Sequence, residues 1–281
     1  GIGSFRQVEK LYEDAYSLNE SIVETSPNYN RMERVYTTLI DLSLDHFKDI
    51  DKADRWYGKL SAITARDSSA EPFTLYSEGR IALFNEDYTT ARQALTRADR
   101  ATENTNLSEK SRYYLSLSDF FAGDYEFAQV QLSSLERRNT SYFANNAIKL
   151  GMWIKNGLRI DSTGTELDGF SSAIRLLHTG RYESAISSSD SLLNQPSHPF
   201  DDDLVIEFSG ELPARFQPYV LTRLQQQVAS NPNSPKRERL MWERAEIADQ
   251  LLTAASLNEG PSPDVSFFTP DDTSYNFMID E

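Results

Sequence analysis

The stretch GDYEFAQVQL, Gly123–Leu132, decides the fold. It runs from a turn into an amphipathic helix, and its core, Tyr-x-x-Ala, keeps returning. It recurs as YEDA (Tyr12–Ala15), YTTA (Tyr88–Ala91) and YESA (Tyr182–Ala185), with a weaker copy, IDKA (Ile50–Ala53). The alanines Ala15, Ala53, Ala91 and Ala128 are spaced by 38, 38 and 37 residues; Ala185 follows after 57, and Val220 holds the equivalent place 35 later. Upstream of the best copies lies a helical apolar pattern, then a short turn (NED, AGD or HTGR), then a second helical pattern such as Ala128, Leu132, Leu135. Apolar residues at these spacings line one stripe of a helix. Each unit therefore reads helix, tight turn, helix, linker. Residues three or four apart share a helix face, so the alanine marks a close crossing of two helices and the tyrosine covers its end. Gly123 suits the left-handed residue that ends a first helix, and Asp124 suits the cap of the second.

Composition narrows the function classes. With 39% hydrophobic and 11% aromatic residues, the 281-residue chain has enough apolar surface for a core. A net charge of −15 argues against nucleic acid and anionic lipid as partners. The absence of cysteine excludes disulfides and thiol catalysis. No run approaches the roughly 18 apolar residues of a membrane span, so no direct membrane insertion is expected. The opening GIGSF has no methionine, as in a trimmed or mature chain.

The long gap before Ala185 leaves room for an extra helix, supplied by YFANNAIKLGMWIKNGL (Tyr142–Leu158), with Ser162 or Thr165 as candidate cap of the helix after it. A short acidic helix follows Pro199 and ends by Pro213; helices over roughly 218–230 and 235–257 close the array. The division expected is a helical domain over 5–257 and a non-helical tail over 258–281, whose Phe267, Phe268, Tyr275, Phe277 and Met278 could pack back on the helices.

Motifs for chemistry are sparse. His46, His178 and His198 lie far apart, and none has a second histidine four residues on, so no metal site is expected. No phosphate-cradling glycine loop and no Gly-x-Ser-x-Gly elbow occur. Asp201, Asp202 and Asp203 read as favourable charge at a helix start. No catalytic residue and no cofactor are expected.

These units resemble the tetratricopeptide repeat (TPR) family, whose helix-turn-helix unit is about 34 residues long. The best copy is LYSEGRIALFNEDYTTARQALTRA (Leu75–Ala98), with Gly79 at the small place of the first helix and Ala91, Leu95 and Ala98 in the second. Ser116 and Ala173 hold the small place in two later copies; Asp41 and Val220 depart from the pattern. The resemblance implies an all-α fold, an α-α superhelix of about five helix pairs plus one extra helix. It also implies that first helices line a concave face where a partner protein or peptide binds. Carried over residue by residue, that face takes Tyr76, Arg80, Lys110, Tyr113, Leu117, Phe120, Phe121, Phe170 and Ile174, flanked by Phe84 and His178. Alternatively, about half of these rings are core between units. Tyr76 and Arg80 stand where the family's carboxylate clamp wants lysine and asparagine, so that clamp is not matched. The block around NNAIKLGMWIKNGL is similar to segments of Bacteroidetes-type envelope repeat proteins, which implies the periplasm or cell envelope, with a cytoplasmic alternative. The function implied is a non-enzymatic scaffold; the alternative is an outer-membrane lipoprotein that binds a solute or glycan.

Overall fold

The computed structural model describes residues 4–136, 143–195 and 198–257, and the 258–281 tail of the sequence reading lies outside them. Of the described residues 82% are helical, in thirteen α-helices and two short 3-10 turns, with no strand among them. Two compact units divide the described residues: those within 6–204 form one, and residues 4–5 with 205–257 form the other. The sequence reading drew a single helical domain over 5–257.

The larger unit begins with α1 (Ser4–Thr25). Four helix pairs follow. These are α2 (Met32–Asp45) with α3 (Ile50–Thr64), α4 (Glu71–Phe84) with α5 (Tyr88–Ala101), α6 (Thr105–Phe121) with α7 (Tyr125–Glu136), and α9 (Thr165–His178) with α10 (Tyr182–Leu193). The expected extra helix is α8 (Ala144–Ile160), between α7 and α9. Each first helix packs on its own second helix, and contacts then pass along the chain: α4 on α2 and α3, α6 on α4 and α5, α8 on α7, α9 on α6 and α8.

The repeated tetrapeptide does what its spacing implies. Ala53, Ala91, Ala128 and Ala185 are all fully buried, each in the second helix of a pair. At Gly79 the two helices meet so closely that an added Cβ would lie 2.5 Å from Leu95 Cγ. The first copy behaves differently. Tyr12 and Ala15 sit inside the unbroken helix α1, so Tyr12 follows no turn and is 43% exposed. Instead α1 is held by Tyr16, whose hydroxyl accepts from Trp56 Nε1 at 2.8 Å within a core that includes Leu39, Ile40, Leu44 and Leu60.

Three of the four turns share one design, in which the second residue past the helix C-cap is bonded back across the last turn: Asp87 N to Ala82 O at 2.9 Å, Asp124 N to Asp119 O at 2.8 Å, and Arg181 N to Leu176 O at 2.9 Å; in the α2–α3 turn Asp49 N reaches Ser43 O at 2.9 Å instead. This is the Schellman arrangement, and it puts the preceding residue in the left-handed region. Gly123 (φ 81°) and Gly180 (φ 73°) occupy that place in two turns, while Glu86 (φ 63°) and Lys48 (φ 52°) are the left-handed residues of the other two. A side chain there costs about 1 kcal/mol or more relative to glycine, so both positions carry strain that other contacts must offset. Asp49 and Asp87 cap α3 and α5, accepting from Lys52 N and Thr90 N at 3.0 and 3.1 Å. The α9 cap differs from the expectation of Ser162 or Thr165. Gly164 is the N-cap residue, and the Asp161 carboxylate accepts from the amides of Thr163 and Thr165, each at 2.9 Å. Aspartate outcompetes the hydroxyls because it presents two oxygens, one for each amide.

A second core joins α6, α8, α9 and the segment entering α11 (Asp201–Glu211). There the Phe170 ring stacks on Phe200 at 4.5 Å and meets Trp153 edge-on at 4.9 Å. Within the smaller unit, α12 (Gln217–Ser230) packs on α13 (Arg237–Leu257) through buried Val220, Leu224, Leu240 and Ile247. There Arg237 Nη1 donates to Val228 O at 2.9 Å.

Candidate functional site

The first helices of three pairs bring charged side chains together. Asp41 and Asp45 lie one turn apart on α2, on a helix whose neighbouring residues Leu39, Ile40 and Leu44 are core. Arg80 on α4 reaches both, with Nη1 at 2.6 Å from Asp41 Oδ1 and Nη2 at 2.5 Å from Asp45 Oδ1. Tyr76 donates to Asp41 at 2.8 Å, Tyr114 of α6 donates to Asp45 at 3.1 Å, and Lys110 donates to Asp41 at 2.9 Å. The guanidinium carbon stands 3.5 Å from the centre of the Tyr114 ring. Burial alone would favour loss of the Arg80 proton, but Asp45, the two tyrosines and Asp41 outweigh it and push the pKa well up. The Tyr76 and Tyr114 hydroxyls are held neutral, chiefly by burial. Arg80 Nε is buried and has no acceptor.

This geometry revises the expected groove. Tyr76, Arg80, Phe120 and Phe170 are at most 2% exposed, and Leu117 and Ile174 are also buried. As placed here, these six present no ring or charge to a partner. The cause is layering: α6 packs with α4, α5, α7 and α9, and Ser171 of α9 donates to Phe120 O at 3.1 Å. Lys110, Tyr113 and Phe121 are the three expected residues that keep partial exposure. Tyr113 lies against Phe143, with centroids 5.2 Å apart, and Phe121 lies against His178 at 5.7 Å.

The sequence reading missed two features. Asp41 registered only as a departure from the small place, yet it anchors the ion cluster. Two acids four residues apart inside an otherwise apolar helix stripe were the available signal, since buried charge demands a partner. The second feature is a pair of exposed apolar side chains on each of two helices that pack on each other. Phe127 and Val130 of α7 are 66% and 69% exposed, and Ile148 and Met152 of α8 are 41% and 54% exposed. Spacings of three and four put each pair on one helix face.

At the entry to α11, Asp203 accepts from Trp153 Nε1 at 2.8 Å. Buried His198 accepts from Phe200 N at Nδ1 and sets Nε2 3.4 Å from Glu166. Burial lowers the His198 pKa despite Glu166. Asp201 is pushed up to about 7 by burial, with Asp202 adding repulsion, and its Oδ1 is buried without a partner. A carboxyl that titrates near 7 when folded and near 3.8 when unfolded binds a proton preferentially in the folded state. Stability therefore falls as pH rises between those values. Because part of the side chain meets solvent, the expected loss is roughly 2 kcal/mol between about pH 5 and pH 7. Asp201→Asn should flatten that decline in urea melts run across the range; an unchanged slope would mean that Asp201 does not cause it.

Among the described residues no three His, Asp or Glu side chains are grouped as a metal would require, and no helix is long and apolar enough to cross a membrane. Comparison with family models, curated proteins and solved structures finds no match.

Proposed function

We propose that the chain is a non-enzymatic scaffold that binds a partner protein, built as an α-α superhelix of about five TPR-like helix pairs with α8 as an inserted extra helix. The sequential packing of helix pairs and the buried alanines at their crossings support this architecture. The observation that carries the binding function is the apolar surface of Phe127, Val130, Ile148 and Met152. Large exposed apolar side chains gathered on neighbouring helices mark interaction surfaces, because water alone leaves them costly. The partner protein presents an apolar patch to α7 and α8, with a basic rim to suit a chain of net charge −15. The resemblance of the α8 block to segments of envelope repeat proteins supports the periplasm or cell envelope of a bacterium as its location. No cofactor and no catalytic residue enter this reading.

The partial exposure of Lys110, Tyr113 and Phe121 favours a second binding face on the first helices. One experiment separates the two. Partners are captured by cross-linking from an envelope fraction with the parent chain, with Phe127→Glu/Met152→Glu, and with Lys110→Ala/Tyr113→Ala. The first double variant is expected to lose the captured protein at an unchanged melting temperature, since its side chains are exposed. Equal capture by all three chains would overturn both surfaces. Loss only in the second variant, at an unchanged melt, would move the site to the first-helix face.

A further inference from the structure

In the smaller unit α12 and α13 are tied at both ends. Gln217 Nε2 donates to Gln250 Oε1 at 2.7 Å, and Arg237 Nη1 donates to Val228 O at 2.9 Å. The two helices are therefore antiparallel, and the start of α12 lies beside the last turns of α13. From Gln250, α13 runs on to Leu257, about 10 Å at 1.5 Å per residue. The chain thus leaves α13 at the end where α12 begins. There Phe216, Tyr219 and Arg223, at spacings of three and four, share one half-buried face. The Arg215 guanidinium lies over the Phe216 ring at 4.7 Å, and that of Arg223 over the Tyr219 ring at 5.7 Å. Val220 and Leu224, next to this face, are core.

Charge in this unit departs from that of the whole chain, where acids outnumber bases by 43 to 28. Over 205–257 six acids and six bases balance, and they are segregated. Residues 212–237 hold no acid and four of the bases, Arg215, Arg223, Lys236 and Arg237. The acids are Glu207 and Glu211 of α11 and Glu238, Glu243, Glu246 and Asp249 of α13. Glu243, level with Arg223 in this register, lies 3.6 Å from Arg239. The sequence beyond α13 has the opposite composition. Residues 258–281 carry six acids and no base, and the ring pair Phe267 and Phe268 is followed by Asp271 and Asp272. Phe267 is ten residues past Leu257, a reach of up to about 33 Å, and Tyr219 is roughly 14 Å back along the helix pair. The other exposed ring of this unit is Trp242, 59% exposed. Helical spacing puts it opposite Leu240 and Ile247, on a face with Glu238, Glu246 and Asp249. That face repels an acidic segment, whereas the start of α12 attracts one.

We propose that the α12 face of Phe216, Tyr219 and Arg223, with Arg215 beside it, binds the chain's own segment 264–272. Phe267 and Phe268 pack against the two rings, and Asp271 and Asp272 meet the two arginines. A tethered segment competes from an effective concentration in the millimolar range, ahead of a free peptide of the same composition. The contact is independent of the α7–α8 surface. The test uses the full chain with a photoreactive benzophenone side chain at position 267. Irradiation should join that position to the 214–224 peptide of the same molecule. Arg215→Glu with Arg223→Glu should cut the yield about tenfold or more, the worth of a charged hydrogen bond. Asp271→Arg with Asp272→Arg should cut it alike; this variant changes no residue of α12 or α13 and decides the matter if the arginine variant folds poorly. All four substitutions together restore opposite charges and should restore the yield. The proposal is overturned if the cross-link falls on the Trp242 peptide or on any other segment, if it joins two chains, if both charge variants cross-link as the parent does, or if the fourfold exchange restores nothing.

Discussion

Replacing Arg80 with leucine should lower the stability of the larger unit by about 3 kcal/mol, at the lower end of the range for breaking a buried ion pair because Asp45 is partly solvated. The loss comes from what remains. Asp41, with its side chain 14% exposed, keeps only Lys110 and the Tyr76 hydroxyl, and Asp45 keeps only the Tyr114 hydroxyl. The Tyr114 ring also loses the cation on its face, a contact worth roughly 1–2 kcal/mol where water is excluded. The melting temperature should drop by roughly 6–12 °C for a unit of this size. A second chain gives the result its meaning. Arg80→Met combined with Asp41→Asn and Asp45→Asn removes the charges together, and such replacements are often neutral. That chain should recover most of the loss. If Arg80→Leu melts with the parent, the ion cluster does not hold α2, α4 and α6 together.

Tyr125→Ala should cost about 3–4 kcal/mol, as expected when a large buried ring is removed and its cavity collapses only partly. The ring is 7% exposed and packs at 5.8 Å on Phe120. It also lies so close over Gly164 that a Cβ there would meet Tyr125 Cε2 at 2.9 Å, which ties the start of α7 to the start of α9. Its hydroxyl donates to Asp168 at 2.5 Å, so Tyr125→Phe separates the two contributions. The phenylalanine should cost about 1–2 kcal/mol, the share of a hydrogen bond to a carboxylate. Denaturant midpoints for the two variants measure both. Equal losses would mean that the ring contributes nothing beyond its hydroxyl.

Tyr125 and Gly79 show what the sequence made legible. A small residue, a turn and a Tyr-x-x-Ala repeating every 37 or 38 residues leave few arrangements other than paired helices, and the close approach at Gly79 is where that pattern demanded it. The burial of Phe120 and Phe170 was not legible. Helical period tells which residues share a face, but not how many neighbours cover that face. α6 is enclosed because α9, about 50 residues later, folds against it. Tyr12 misled for a related reason: the tetrapeptide fits a helix interior as well as a helix start, and only a preceding turn distinguishes them.

Glu86 has a consequence for how the molecule comes apart. Helix pairs that met only their sequence neighbours would melt in pieces, from the ends inward, each pair contributing its own small transition. Glu86 instead binds Arg175 and Arg181, at separations of 89 and 95 residues, and Asp41 and Asp45 bind Lys110 and Tyr114 across 69. These ties skip the intervening pairs. Opening α9 and α10 therefore strips the partners from a strained residue in the α4–α5 turn, and opening α6 strips them from α2. The four pairs are coupled into one cooperative block, whose formation must wait for distant segments to find each other and is slower for it.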